Sequence, residues 1–484
     1  MSFKEYNQNQ SFLLPLSLYD FLPKGHLAHV INDVVNELDL KGLYMKYSDL
    51  GCSAYHPQMM LKSLFYGYAT GERSSRVIAH RLKSDVAYMY LVALQQPDFR
   101  TINRFRKDNI DILKGLFVQI VMLCVEMGMV SLGTIAIDGT KLKANASYRK
   151  TKRGSALDEE LVEIDRQIES ILKACDETDK REDEEMGEDK SPYEVCPELK
   201  DKKKFRERLQ SAKEKLLNRK SKDINLSDDE AVTMLHKGYR PEPSYNGQIA
   251  VEGENGVIVA ATLTNNPADY EALKELIEDT ETNTGDRPME VLADSGFSSY
   301  ENLEYLEEKG IEGYIPDQKM ESIRKGTYRH PEFHKNRFKY NETTDSYTCP
   351  MEKFLAYTGL MKREGKPDIR IYKCNDCLGC ERKEECTKAE YRTISLDPRE
   401  YLMQKMRDRL DTKEGKKKYG ERKYLVEPVF GDMKYNRNMR VLLLRGKLKA
   451  KGEFLMMCIA HNLKKIRKYL TGIGNSPIPC PIEA

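Results

Sequence analysis

Hydrophobic side chains recur at helical spacing through the first 130 residues of the chain. The pattern predicts helices over Gln58–Tyr68, Val77–Leu94 and Thr101–Met127. A turn at Gln96–Asp98 separates the last two of these helices. We therefore expect residues 1–130 to form an all-helical domain.

The last of these helices is basic near its start, where Arg104, Arg106 and Lys107 lie. Two helices joined by a short turn, of which the second begins with basic side chains, are typical of a helix-turn-helix that binds DNA. The same pattern would suit a helical packing domain that never touches DNA. We interpret residues 1–130 as a DNA-binding domain, with these three cations as its candidate contacts.

Beyond residue 130 the pattern changes to short β-branched runs that alternate with helices. The predicted strands are Gly133–Asp138, Gly247–Glu252, Val257–Thr264, Met289–Asp294 and Ile311–Ile315, and the predicted helices are Asp269–Thr282 and Tyr300–Lys309. This order is compatible with an α/β fold built on a ribonuclease-H-like mixed sheet. We expect its parts at residues 131–155, 225–318 and 401–470, the last being basic and helical, with a loose tail at 471–484.

Two insertions interrupt the predicted core. Residues 156–224 are highly charged and helix-prone, with an acidic first arm and a basic second arm at Leu199–Lys222. Because opposite charges attract, we predict an antiparallel helical hairpin. Residues 319–400 are predicted to be irregular and carry five of the eleven cysteines.

The distribution of charge is more informative than its sum of +2. Residues 158–190 hold 15 acidic and 5 basic side chains, a net of −10, whereas residues 401–468 hold 20 basic and 7 acidic, a net of +13. A local basic excess of this size suits a phosphate-binding face, although a solvated charged surface would look the same. We find neither an apolar run of membrane-spanning length nor a secretory signal, so we expect a cytoplasmic protein.

Two carboxylates follow predicted strands of the core. Asp138 and Asp294 each end a short apolar run and each precede a glycine-containing turn. Ligands gather at strand ends in open α/β sheets, and carboxylate oxygens suit hard divalent cations. A third carboxylate from a helix would complete a two-metal site for phosphoryl transfer.

The third carboxylate is expected in the segment 419–434. Glu427 is the preferred candidate, because apolar neighbours would bury its helix against the sheet and basic residues lie within two turns. Glu421 and Asp432 are the alternatives. Pro428 directly follows Glu427, so we expect a helix start or a kink there.

These segments resemble, in order, the catalytic motifs of bacterial insertion-sequence DDE transposases. The matching stretches are Ile137–Lys141 with Ala144–Ser147, Leu292–Phe297, Val426–Gly431, and Ala460–Leu463 downstream. The stretch from Tyr55 to Arg106 resembles the helical domain that precedes this catalytic domain. The resemblance covers about residues 10–470.

The resemblance implies a ribonuclease-H-like core, a Mg²⁺ or Mn²⁺ cofactor, and cleavage and strand transfer of the element's own double-stranded ends, and we expect a homodimer on DNA. It makes Asp138, Asp294 and Glu427 the catalytic metal ligands. A tyrosine, an arginine and a lysine surround the glutamate in the broader group, and the matching DNA-contact positions here are Tyr419, Arg422 and Lys434. The spacing leaves open whether Arg422 or Lys423 fills the arginine position.

Some relatives flip a base against a tryptophan, which is impossible here because the chain has no tryptophan. Phe297 or Tyr300 is the aromatic candidate for stacking instead. Two rival functions remain open at this stage: a nuclease of the same fold that does not join strands, and a non-catalytic DNA-binding descendant.

The cysteine cluster reads Cys349, then Cys374, Cys377, Cys380 and Cys386. Thiolates spaced by two residues suit tetrahedral zinc. The spacing also resembles that of iron–sulfur proteins, and a set of free thiols is the third possibility. We expect a structural subdomain, with zinc favoured over the other two.

Overall fold

A computed structural model describes residues 17–47, 53–186, 197–219, 222–236 and 240–473. The helices are α1 (Leu27–Glu37), α2 (Lys41–Tyr44), α3 (Pro57–Thr70), α4 (Ser75–Arg81), α5 (Val86–Leu91), α6 (Phe99–Asp108), α7 (Leu113–Glu126), α8 (Gly154–Met186), α9 (Pro197–Leu217), α10 (Ala272–Thr284), α11 (Tyr300–Lys309), α12 (Gln318–Arg324), α13 (Lys383–Cys386), α14 (Glu400–Asp411), α15 (Lys413–Gly431) and α16 (Lys447–Ile473). The strands are β1 (Thr134–Lys143), β2 (Thr151–Arg153), β3 (Asp223–Asn225), β4 (Val232–Met234), β5 (Glu242–Glu252), β6 (Ile258–Thr264), β7 (Glu290–Ala293), β8 (Glu312–Tyr314), β9 (Lys339–Asn341), β10 (Ser346–Thr348), β11 (Phe354–Met361), β12 (Ile369–Cys374) and β13 (Thr393–Leu396). The predicted tail beyond residue 473 lies outside the described residues.

The N-terminal region is helical, as predicted, but two of its predicted helices are each broken in two. Residues 77–94 form α4 and α5, because the Asp85 carboxylate caps a new helix by accepting hydrogen bonds from the backbone of Ala87 and Tyr88. Residues 101–127 form α6 and α7, which are interrupted after Asn109. The Asn109 side chain donates to the carbonyl of Phe105, which ends α6.

The core is a six-stranded mixed sheet in the order β4-β5-β1-β7-β8, with β6 paired to β5. Strand β1 runs antiparallel to β5 and parallel to β7, and β7 is parallel to β8. Every residue of β5 is buried. Helices α10 and α16 pack on β6, and α15 lies against β1 and β7. This arrangement is the mixed α/β architecture of a ribonuclease-H-like core.

The charged insertion after β1 contains the two predicted helices, α8 and α9. Lys213 pairs with Asp158 at 2.5 Å, whereas Arg206, earlier on α9, pairs with Asp165, later on α8. The two helices are therefore antiparallel. A separate small core that includes Leu157 and Leu209 joins them, and strands β2 and β3 pair at their base.

The cysteine-bearing insertion is not irregular. Residues 339–396 form a five-stranded antiparallel sheet in the order β13-β12-β11-β10-β9. Sequence patterning missed these strands because β9 and much of β11 are exposed, so their side chains do not alternate between apolar and polar. Its small core contains Tyr372 and Leu355.

The C-terminal region is helical but interrupted. Pro428 lies inside α15 rather than at its start, and the helix widens into a single π-type turn at Asp432–Asn436. Helix α16 then packs against α3 and α7 of the N-terminal region as well as β6. No helix in the described part of the chain is long and apolar enough to cross a lipid bilayer.

Candidate active site

Asp138 and Asp294 meet at one edge of the core sheet. Ile137 of β1 is paired with Ala293 of β7, so the residue that follows each of them is a carboxylate at the same level of two parallel strands. Helix α15 lies across these two strands. Hydrophobic pairing of the strands thus brings together two aspartates that are 156 residues apart, as the sequence predicted.

Asp138 is largely buried, with 16% of its side chain exposed. Its Oδ1 accepts a hydrogen bond of 2.8 Å from the backbone of Gly139, and its Oδ2 accepts one of 3.0 Å from Arg422. Burial raises the pKa of Asp138 to about 6, the Arg422 guanidinium opposes this rise, and the neighbouring Asp294 adds to it.

Asp294 caps the short turn that follows β7, where its Oδ1 accepts a hydrogen bond of 2.8 Å from the backbone of Gly296. Burial raises the pKa of Asp294, and the nearby carboxylate of Asp269 contributes to the rise. Two neighbouring carboxylates in a partly buried site repel each other, and a bound cation would relieve this repulsion.

Asp269 is a third acidic residue of this site, and sequence reasoning missed it. Its Oδ1 accepts hydrogen bonds from Asn246 at 2.6 Å, Gln248 at 3.0 Å and Lys141 at 3.2 Å. It lies just before α10, in a loop with no strand of its own. The only sequence signal for it is indirect: Gly139 and Gly296 follow the two aspartates, and a glycine can mark a place where another group approaches the backbone closely.

Both motif glycines are needed for the close approach of Asp269. A Cβ at Gly139 would lie 2.8 Å from Oδ1 of Asp269 and 3.2 Å from Cγ of Gln248. One at Gly296 would lie 3.1 Å from Oδ2 of Asp269 and 2.9 Å from Oδ1 of Asp294. Neither glycine has the positive φ that would require it on backbone grounds. The two motifs therefore carry glycine to make room for a carboxylate.

Helix α15 presents a tyrosine and an arginine to these aspartates. The Arg422 guanidinium lies 5.9 Å from the centre of the Tyr419 ring and bonds to Asp138. Lys434, just beyond the helix, is half-buried and donates from Nζ to the carbonyl of Lys141 at 3.2 Å. Burial lowers the pKa of Lys434, and the nearby Asp138 opposes the fall. Lys423 is exposed, so Arg422 is the residue that reaches the site.

The three candidates for the third carboxylate lie in different surroundings. Glu427 is exposed on α15, five residues after Arg422 and seven before Lys434. Glu421 faces a groove with Ser131 and Thr134, at the start of β1, away from the Asp138 end. Asp432 is paired with Arg437 at 2.8 Å and with Lys464 at 2.9 Å.

The ligand atoms of Asp138, Asp294 and Glu427 do not all lie within 4.8 Å of one another. Across the described ranges, the only group of three that does is formed by His330, Glu332 and Glu385, in the cysteine-bearing insertion. Two of its members already bind Arg382.

One candidate DNA contact in the N-terminal region needs correction. Arg106 is 5% exposed and donates to the carbonyl of Arg73 at 2.9 Å and to the side chain of Asn103 at 2.9 Å. It is therefore part of the core and is not available to DNA. Arg104 and Lys107, on the same helix, are exposed.

The two aromatic candidates for stacking on a base, Phe297 and Tyr300, make other contacts within the protein. Phe297 is completely buried in the core. The Tyr300 hydroxyl donates to Glu400 at 2.5 Å. The Arg399 guanidinium lies 5.3 Å from the centre of the Tyr300 ring, so Phe297 has no exposed face for stacking on a base and one side of Tyr300 is already occupied.

The downstream motif at 460–463 is explained by strand β6. The Asn462 side chain accepts from the backbone nitrogen of Ile258 at 2.9 Å and donates to its carbonyl at 2.8 Å. His461 shares a hydrogen bond of 2.9 Å with the carbonyl of Gly256. Together they fix α16 to the core sheet.

A buried ion pair joins the N-terminal helices to the segment after α15. Arg73 contacts Glu453 at 3.0 Å, and Glu453 is completely buried. Glu453 also accepts from the backbone of Leu443 and Leu444, and Arg73 donates to the carbonyls of Asn438 and Val441. The N-terminal region is therefore held against the end of the catalytic segment.

Comparison with known families gives two matches. Residues 348–467 match the family described as Transposase DDE domain, and residues 16–108 match the family described as Transposase domain (DUF772). The first range contains Arg422, Glu427 and Lys434, and the second contains Arg104 and Lys107. No curated protein matches the chain.

Proposed function

We propose that the chain, a DDE transposase of the bacterial insertion-sequence type, cleaves the ends of its own element and joins them to target DNA. Asp138, Asp294 and Glu427 are the proposed catalytic carboxylates. The observation that carries the proposal is the pairing of Asp138 and Asp294 on parallel strands beneath α15. A DNA substrate would place this activity in the bacterial cytoplasm.

The donor set fits a hard divalent cation such as Mg²⁺ or Mn²⁺. Asp138 and Asp294 offer carboxylate oxygens in a partly buried pocket where burial opposes their negative charge. Oxygen donors of this kind suit Mg²⁺ and Mn²⁺. Bound ions would activate the attacking oxygen and stabilise the leaving oxygen of the phosphodiester.

Side chains on and after α15 would position the DNA. Arg422 and Lys434 place two cations beside Asp138, where the negative charge of a scissile phosphate has to be balanced. The Tyr419 ring lies beside the Arg422 guanidinium, 5.9 Å from its centre. Fixed positive groups around a phosphoryl centre lower the barrier without reorganising during the reaction.

The remaining binding surface is proposed to extend over the N-terminal helices and the basic C-terminal segment. Arg104 and Lys107 are exposed on α6, and Lys423 is exposed on α15. Such contacts to phosphates fix the register of the duplex and carry no sequence information. A homodimer on DNA would bring the two ends of an element together.

Glu427 is preferred as the third carboxylate for reasons of position. Glu421 lies toward the start of β1, and Asp432 is neutralised by two cations. Glu427 does not line the groove at the start of β1, and no ion pair to it is seen among the described residues. It is flanked along the chain by Arg422 and Lys434, which both approach Asp138.

The test uses duplexes that carry the inverted repeats flanking the gene. Glu427→Gln keeps the size of the side chain and removes its charge, so cleavage and joining in Mg²⁺ should both fall by about 100-fold or more while end binding persists. Glu421→Gln is the matched control and should remain active. An active Glu427→Gln beside an inactive Glu421→Gln would move the ligand to Glu421, and cleavage without joined products in the wild type would leave only the nuclease.

A further inference from the structure

The five cysteines of the insertion surround one small cavity. Cys349 follows β10, Cys374 ends β12, Cys377 and Cys380 lie in the next loop, and Cys386 ends α13. All five line a cavity of about 20 Å³, which is room for an ion but not for an organic ligand. Cysteines from the end of β10 and from the stretch between β12 and α13 thus line the same cavity.

Backbone amides donate to two of these sulfurs. The Sγ of Cys349 accepts from the nitrogens of Met351 at 3.3 Å and Lys353 at 3.2 Å. The Sγ of Cys377 accepts from the nitrogen of Arg392 at 3.2 Å. Cysteine sulfur is a weak hydrogen-bond acceptor when neutral, and such amide donors would add hydrogen bonds to a sulfur that is bound to a metal ion.

The surroundings are also positive. Lys353, Lys383 and Arg392 line the same cavity. Four thiolates around a divalent cation leave a net charge of about −2 by the formal charges of the ligands, and these three cations would balance it.

We propose that four of these five cysteines, with Cys377 at their centre, hold a structural Zn²⁺ ion that clamps β10, β12 and α13 together. The proposal is independent of the catalytic function. The soft sulfur ligands favour zinc over the hard cation of the active site. A fifth cysteine would remain as a neighbouring thiol.

Zinc binding would contract the cluster. Zinc–sulfur bonds of about 2.3 Å in a tetrahedron place sulfurs about 3.8 Å apart. No three of these sulfurs lie within 4.8 Å of one another in the described structure. Rotation of the cysteine side chains about their Cα–Cβ bonds would be needed to close the set, and the cavity at their centre leaves space for it.

Elemental analysis of the purified full-length protein tests the proposal. We expect about one zinc per chain, loss of the zinc in Cys377→Ser, and its retention in Cys124→Ser. Cys124 is a suitable control because it is also buried but lies in α7, remote in sequence from the cluster.

Since Cys377→Ser could fail to fold, the wild-type protein provides a second measurement. A mercurial that modifies thiols should release about one zinc per chain into a chromogenic chelator. A folded preparation without zinc would overturn the proposal. So would iron with acid-labile sulfide, or a disulfide among these cysteines found by mass spectrometry.

Discussion

The Nη1 atom of Arg422 lies 3.0 Å from Oδ2 of Asp138, and 11% of the Arg422 side chain and 16% of the Asp138 side chain are exposed. The guanidinium therefore neutralises a proposed metal ligand within the protein itself. A divalent cation bound to Asp138 must compete with Arg422 for the same carboxylate. On cation binding, Arg422 would be released toward the phosphate of the DNA, which ties metal binding to substrate binding.

Replacing Arg422 by Gln should therefore have opposite effects on metal binding and on catalysis. We expect Mn²⁺ to bind the protein alone about tenfold more tightly, because the competing cation is gone. Cleavage of element ends should fall, because a phosphate-positioning charge is lost as well. Calorimetric titration with Mn²⁺ and a cleavage assay measure the two effects.

Lys423→Gln is the control for this experiment, since Lys423 is the next residue and is exposed. It should leave Mn²⁺ affinity unchanged. Equal Mn²⁺ affinity in the two variants and the wild type would show that Arg422 does not compete with the metal.

Gly139→Ala should damage the site through Asp269. The new Cβ would lie 2.8 Å from Oδ1 of Asp269, so the carboxylate that anchors Asn246, Gln248 and Lys141 has to move. We expect a loss of about 1–3 kcal/mol in the free energy of unfolding and a fall in cleavage of about 100-fold. Denaturant unfolding and the cleavage assay measure these changes.

Gly420→Ala is the matched control, because no atom outside its own helix lies within 4 Å of a Cβ there. It should be neutral or slightly stabilising within α15. If the glycine mainly makes room for Asp269, Gly139→Ala should cost less stability in an Asp269→Ala background than in the wild type, although the contact with Gln248 at 3.2 Å remains. Additive losses would contradict that explanation.

His461 should make the fold sensitive to acid. Burial lowers the pKa of this histidine to about 3, and Arg437 adds to the fall. In the unfolded chain the pKa of this histidine is near 6.5. Between about pH 3 and pH 6.5 the histidine is therefore protonated in the unfolded chain but neutral in the folded chain, so the free energy of unfolding falls as the pH drops below about 6.5. At pH 5 the His461 contribution to this loss is about 2 kcal/mol.

The measurement is the difference in unfolding free energy between pH 7 and pH 5. It should shrink by about 2 kcal/mol in His461→Gln, which cannot titrate there. His56→Gln should leave the difference unchanged, because His56 is exposed. An unchanged difference in His461→Gln would show that this histidine is not the acid-sensitive group.

The sequence alone determined the elements whose signals are local. Helix α11 runs from Tyr300 to Lys309 as predicted, because Ser299 caps its start and Gly310, at a φ of +67°, ends it. The strand ends at Asp138 and Asp294 were also readable, since a short apolar run followed by a carboxylate and a glycine needs no distant partner to be recognised.

The tertiary structure decided everything that depends on contacts between distant residues. Arg106 and Arg104 lie two positions apart on one helix, yet only packing against Arg73 buries the first and leaves the second exposed. Asp269 joins the site through Asn246 and Lys141. The physical reason is that the burial of a side chain and the charges around it depend on which chain segments pack together. Neither the spacing of residues nor the composition of one segment determines which other segment it packs against.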